Sequence, residues 1–198
     1  SRIVAKGHTG EEGTYQLAIQ TDGRLRLAFY NSGMESEPNI IKPNVWQHLI
    51  LIREANSVRG YVNGSKVIEY TTSPLNLTSN QDLVIGYEPG YSSWFNGEID
   101  EVAIWKKALS ESQIDDLYNR VIIPDVIENL QTYYTFNSSE GSSTLYDHSG
   151  NQNHGTINGA TWIENIYGCT DSLAENYNQE ASIDDGNCQY PDNGNYVL

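Results

Sequence analysis

Two dipeptides, Asp22-Gly23 and Asn63-Gly64, each lie between short runs in which apolar and polar residues alternate. No other feature constrains the fold as much, because Asp-Gly and Asn-Gly supply the φ > 0 residues that two-residue hairpin turns need. They predict two antiparallel ribbons, residues 15–21 with 24–30 and residues 57–62 with 65–70. The same period-two alternation, bounded by turn residues, predicts further strands at 1–5, 46–53, 83–87, 98–105, 131–136 and 156–163. The 14 Tyr, 4 Trp and 17 Gly suit short aromatic strands joined by tight turns, so the expected class is all-β.

One helix interrupts the strands. The Ser110 hydroxyl is placed to cap the amide of Gln113 while Gln113 reaches back, and Leu109 to staple onto Ile114. The helix is expected to run to about residue 120, with Ile114, Leu117 and Tyr118 forming a stripe that covers one end of a β-sandwich as a structural lid. Pro124 stops any continuation.

Lys and Arg number 11 against 26 Asp and Glu, a formal charge of −15, so nucleic acid and anionic lipid surfaces are repelled. No apolar run reaches the ~18–20 residues of a membrane helix, and the chain opens on a strand-like stretch instead of a basic and then apolar leader. Neither nucleic acid nor membrane insertion is expected. All 11 basic residues lie within residues 1–120, beside 15 acids, whereas residues 121–198 hold 11 acids and no base. Two compositionally different pieces meet near residue 121.

Specific residues carry a family resemblance. Trp46-Gln47-His48-Leu49-Ile50-Leu51-Ile52, Gly60-Tyr61-Val62-Asn63-Gly64, Leu83-Val84-Ile85-Gly86, Phe95-Asn96-Gly97-Glu98-Ile99-Asp100-Glu101-Val102-Ala103-Ile104-Trp105 and Leu109 through Tyr118 follow one another at a spacing that resembles the C-terminal two-thirds of a laminin-G-like domain. The resemblance implies the concanavalin A-like jelly roll, an antiparallel β-sandwich, over residues 1–120. Leu130-Gln131-Thr132-Tyr133-Tyr134-Thr135-Phe136, Asp147-His148-Ser149-Gly150-Asn151-Gln152-Asn153-His154-Gly155-Thr156 and Gly159-Ala160-Thr161-Trp162 resemble the first strands of the same pattern, in inverted order. Residues 1–120 would otherwise leave a sheet edge bare. Residues 121–165 are therefore expected to complete a circularly permuted sandwich, with 131–136 pairing with 98–105 and 156–163 docking as well. A linker of roughly ten residues, at up to ~3.3 Å each, can span the distance.

Residues 166–192 are similar to a short Cys-flanked acidic module of secreted bacterial proteins, and 193–198 begin a further segment. Cys169 and Cys188 lie in an acidic stretch with no Lys, His or other Cys nearby, which disfavours zinc. A disulfide between them would stabilise by on the order of 3 kcal/mol and implies export, so the expected location is extracellular or at the cell surface. Sequons at Asn63, Asn76 and Asn137 carry little weight in a chain so rich in Asn and Ser.

Glu98-Ile99-Asp100-Glu101 invites comparison with glucanases of this fold, which need carboxylates at alternate positions of one strand. The alternation fails: Val102 follows Asp100 on the shared face and Glu101 points away, leaving no acid/base partner. No enzyme activity is expected. His48 alternates with Trp46 and Ile50 and reads as a packed, hydrogen-bonded histidine, while His8, His148 and His154 sit in polar turns without metal-ligand spacing. Gly-rich turns lack the Gly-Lys-Ser/Thr run of a phosphate loop.

Calcium is the ion that Asp/Asn/Gly turns with surplus negative charge would take, and the family resemblance implies a structural calcium near the sandwich rim. Expected ligands are Asp147 with carbonyls around Gly150 and Asn151 and, separately, Asp184 and Asp185; the alternative is that these acids only solvate turns and cap strands. For an organic ligand, the Pro-Gly loop within residues 87–96 would present Tyr91 and Trp94 to the apolar face of a sugar ring, with Asn96 beside them; the alternative is that Trp94 covers the open end of the sandwich. Carbohydrate recognition within an exported multidomain protein, next to other domains of the same polypeptide, is the leading reading. A ligand-free structural spacer and a glycoside hydrolase stay open as alternatives.

Overall fold

In the computed structural model, which describes residues 1–7, 13–29, 32–72, 79–88, 93–122, 124–137, 142–163, 166–181, 183–184 and 186–190, the chain enters sheet at once. It forms β1 (Arg2–Lys6), β2 (Tyr15–Ile19), β3 (Leu25–Phe29), β4 (Ser32–Glu35), β5 (Leu49–Glu54), β6 (Ser57–Val62) and β7 (Ser65–Thr71). It continues through β8 (Leu83–Ile85), β9 (Tyr87–Glu88), β10 (Ser93–Trp94), β11 (Val102–Trp105), α1 (Glu111–Tyr118), β12 (Leu130–Tyr134), β13 (Thr144–Leu145), β14 (Gly155–Thr156), β15 (Tyr167–Gly168) and β16 (Ile183–Asp184). Two units result, Ser1–Ser138 with Thr144–Gly155, and Ser139–Ser143 with Thr156–Leu198.

In the first unit a five-stranded sheet of order β4-β3-β2-β1-β8 faces a three-stranded sheet, β5-β6-β7. Ile3, Leu17, Leu25, Leu27, Phe29 and Met34 from the first meet Val58, Val62 and Ile68 from the second in one buried cluster. Strand alternation places them there, since Gly60 sits between Val58 and Val62 on the inner face while Tyr61 points outward. Gly60 leaves no room for a side chain: an added Cβ would stand 3.1 Å from Leu27 and 3.2 Å from Ile68.

Both hairpin signals produce hairpins, with one difference in length. Val62 pairs with Ser65, and Asn63 and Gly64 take φ of 49° and 75°, the two-residue turn expected. At the other turn Ile19 pairs with Leu25, and the Gln20 N–H donates to the Arg24 carbonyl (2.9 Å). Three residues therefore turn, with Gly23 in the left-handed position (φ 76°), as three-residue hairpins require. Strand β4 escaped the sequence reading because Met34 alone of its four residues is buried, so no alternation marks it.

The cap on α1 forms as expected, with Ser110 and Gln113 bonded reciprocally. The helix does not close the end of the sandwich. Ile114 and Leu109 pack with Ile52, Tyr61 and Ile127, on the outer face of the three-stranded sheet, because Ile52 and Tyr61 are the outward members of β5 and β6. The expected pairing of the 130s with the 100s is present: Val102, Ala103, Ile104 and Trp105 lie opposite Tyr134, Tyr133, Thr132 and Leu130. Two expected strands are shorter than read. Residues 98–101 precede β11 without pairing, and of 156–163 only Thr156 belongs to a strand, since Asn158-Gly159 turns the chain (Gly159 φ 78°). Residues 156–163 fall in the second unit.

In that second unit Cys169 and Cys188 form the expected disulfide. Parallel pairing of β15 with β16 and local hydrogen bonds hold the loop: Asp171 accepts the Leu173 N–H (2.9 Å) and the Tyr190 hydroxyl (2.7 Å). Asn176 bonds both Asn187 and Gln189.

Candidate functional site

Gly86, in the left-handed region (φ 75°), turns the chain out of β8 into the β9–β10 hairpin. Its N–H donates to the Ile3 carbonyl (2.8 Å) and its carbonyl accepts the Phe95 N–H (2.8 Å), fixing the hairpin base to the sheet. Phe95 packs against the core cluster between the sheets, so alternation sends Trp94 outward. Trp94 lies opposite Tyr87 in the ladder, their ring centroids 5.6 Å apart at 37°, and it is 64% exposed. Gly97 lets the chain pass the Phe95 ring, which would lie 2.8 Å from an added Cβ, and Asn96 between them is exposed.

The aromatic ledge is therefore Trp94 braced by Tyr87. Tyr91, the other expected aromatic, lies outside the described residues. Tyr87 was missed as a site residue, because only the ladder register sets it opposite Trp94.

Two of the three carboxylates at 98–101 make structural hydrogen bonds, while Glu98 is exposed. Asp100 accepts the Glu101 N–H (2.9 Å), and burial pushes its carboxyl above the usual range. Glu101, at φ 53°, accepts the Tyr133 hydroxyl, which ties the approach of β11 to β12. Because these residues precede the strand, the alternating faces assumed for Glu98 and Asp100 do not apply.

Asp147 is buried, and both its oxygens are filled by protein donors. Oδ1 accepts the N–H groups of Tyr133 (2.8 Å) and Ser149 (2.9 Å), and Oδ2 accepts the Asn153 N–H (2.9 Å) and the Ser149 hydroxyl (2.8 Å). Burial pushes the carboxyl up, but the N–H groups of Ser149, Tyr133 and Asn153 with the Ser149 hydroxyl outweigh it and take the pKa to about 2. Asn151 turns its amide nitrogen to the carbonyls of Leu130 (2.9 Å) and Gln131 (3.1 Å), and Gly150 makes the turn at φ 84°. Four donors aim their positive ends where a cation would stand, so Asp147 does not fit a calcium ligand. Among the described residues no group of three or more His, Cys, Asp or Glu side chains could hold a metal. Asp184 lies in β16, and Asp185 lies outside the described residues.

His48 is half-buried, stacked on Tyr118 (6.1 Å, 19°), and burial lowers its pKa. Its buried Nδ1 has no hydrogen-bond partner, so the expected packing is present without a bond at that atom. The imidazole of His154 accepts the Asp147 N–H (3.0 Å) at Nδ1. His8 and Asn76 lie outside the described residues.

Residues 1–115 match the family model described as the concanavalin A-like lectin/glucanases superfamily. The chain is 23% identical over 150 residues to Adhesion G-protein coupled receptor V1 of Danio rerio, a match covering 70% of this chain and 2% of the receptor. It is also similar to a solved "putative carbohydrate binding protein" from Bacteroides ovatus, with a TM-score of 0.62 and 23% identity over 82% of this chain and 54% of that one. At that identity the likeness is one of fold, and it is the antiparallel β-sandwich.

Proposed function

The chain belongs to the concanavalin A-like lectin/glucanase superfamily, and from that membership we propose that it is a non-catalytic binding module that holds a saccharide against Trp94. The observation that carries the proposal is the 64% exposure of Trp94 on a hairpin whose base is fixed and whose second ring, Tyr87, braces the indole. A large apolar ring in water recovers ~25 cal/mol for each Å² that a ligand covers. The C–H face of a sugar covers such a ring while its hydroxyls stay hydrogen-bonded at the edges. Asn96 offers both a donor and an acceptor to one of those hydroxyls. The disulfide supports an exported, adhesive setting, as does the similarity to an adhesion receptor.

The test is a glycan array probed with the whole chain and with Trp94→Ala and Trp94→Phe. Binding to a defined glycan set should be lost with alanine and partly kept with phenylalanine, with no release of reducing ends. Absence of binding by the unaltered chain, or equal binding by Trp94→Ala, overturns the reading in favour of a ligand-free spacer.

A further inference from the structure

The described residues include three Asn-Gly steps, Asn63-Gly64, Asn96-Gly97 and Asn158-Gly159, and the fold holds them in different ways. We propose that Asn158 is a site of spontaneous deamidation in the folded protein, while the fold shields Asn63 from the same reaction. The glycine nitrogen attacks the Asn Cγ, a new N–C bond closes a five-membered succinimide, and the side-chain nitrogen leaves as ammonia. Water then opens the ring to aspartate or isoaspartate, so one amide and one water become one carboxylate and one ammonium ion. The reaction needs an Asn side chain free to swing over the next nitrogen, and a following residue without Cβ to crowd the approach.

Asn63 is followed by a glycine, but its side chain is held and that glycine is covered from outside. Its Oδ1 accepts the His48 N–H (2.9 Å), and its own N–H donates to the His48 carbonyl (2.8 Å). The Tyr118 ring covers Gly64, with Cδ1 3.0 Å from where a Cβ would be. Asn96 is exposed, but Gly97 is crowded by the Phe95 ring at 2.8 Å from the same notional atom. Asn158 is exposed, and its side chain has no hydrogen-bond partner among the described residues. Around a Cβ at Gly159 there is nothing within 4 Å. The product would add a negative charge to a unit that has no Lys or Arg. As isoaspartate it would also lengthen the backbone four residues before Trp162, whose indole N–H donates to the Ser142 carbonyl (3.1 Å).

The whole chain is incubated in mildly alkaline buffer and digested with a Glu-specific protease, which places the three steps on separate peptides, 55–69, 89–98 and 141–164. Peptide 141–164 should gain the mass of a deamidation several-fold faster than 55–69, and in denaturant the two rates should converge. Tyr118→Ala, folded by circular dichroism, should speed the reaction at Asn63. The proposal is overturned if 55–69 keeps pace with 141–164 in the folded chain, or if folding slows both peptides equally.

Discussion

The carboxylate of Asp147 accepts the backbone N–H of Tyr133, 14 residues earlier, at 2.8 Å, so the loop after β13 is tied to the middle of β12. Three further donors from Ser149 and Asn153 complete the knot. Asp147→Asn replaces one acceptor oxygen with an NH2 group that faces N–H and O–H donors, leaving buried groups unsatisfied. The expected loss is about 2–4 kcal/mol, at the charge-assisted end of the range, read as a lower urea midpoint. A loss below about 0.5 kcal/mol, the size of an ordinary surface change, would show that the knot is not holding β12.

The same carboxyl sets a pH dependence. Its folded pKa, about 2, lies below the ordinary 3.8, so its contribution is complete above 3.8 and is lost as pH falls through about 2. The gap in stability between the unaltered chain and Asp147→Asn should therefore be constant at neutral pH and narrow across that acidic window. A gap that narrows near neutrality would point to another group.

How legible such features are in sequence depends on whether the partner is local. The cap at Ser110 and Gln113 and the turns at Gly23 and Asn63-Gly64 involve residues within a few positions, and their types alone identify them. Pairing of the 130s with the 100s was legible because both segments keep the family pattern. Asp147 was not: an Asp before Ser-Gly-Asn reads equally as a cation ligand or a turn cap, and only the N–H of Tyr133 decides between them. In sequence Trp94 reads as a cover for the open end of the sandwich as readily as an exposed ring, and its exposure, like its partner Tyr87, comes only from the structure.

Two glycines separate backbone strain from crowding. Gly23 and Gly150 both have positive φ, 76° and 84°, but an added Cβ at Gly23 would lie 2.7 Å from the Ile41 carbonyl oxygen while one at Gly150 meets nothing within 4 Å. Gly150→Ala should cost about 1 kcal/mol, the left-handed penalty alone. Gly23→Ala should cost more, about 2–4 kcal/mol, because backbone must move as well. Equal melting shifts would mean that the 39–41 segment yields freely.

Calcium is expected to leave the first unit unchanged. With the lone pairs of Asp147 engaged by N–H and O–H donors, an ion would have to displace them, and only an ion that binds the folded state raises its stability. Melting curves in millimolar calcium and in chelator should superimpose. A rise that disappears with Asp147→Asn contradicts this; one that disappears with Asp184→Ala would place an ion in the Cys-flanked loop.

The disulfide should matter to one unit only. The first unit contains no cysteine, whereas Cys169–Cys188 closes the loop in which the Asn178 N–H reaches the Cys169 carbonyl (2.9 Å) and the Glu175 N–H reaches the Gln189 carbonyl (2.7 Å). With two-residue strands and a few local hydrogen bonds to hold this loop among the described residues, reduction should remove on the order of 3 kcal/mol, enough to melt it. Amide exchange at Glu175 and Asn178 should then accelerate by orders of magnitude, while the amides of Leu27 and Tyr133, in sheet and knot, keep their protection. If reduction speeds exchange at Tyr133 to the same extent, the two units share one unfolding transition and the first does not stand by itself.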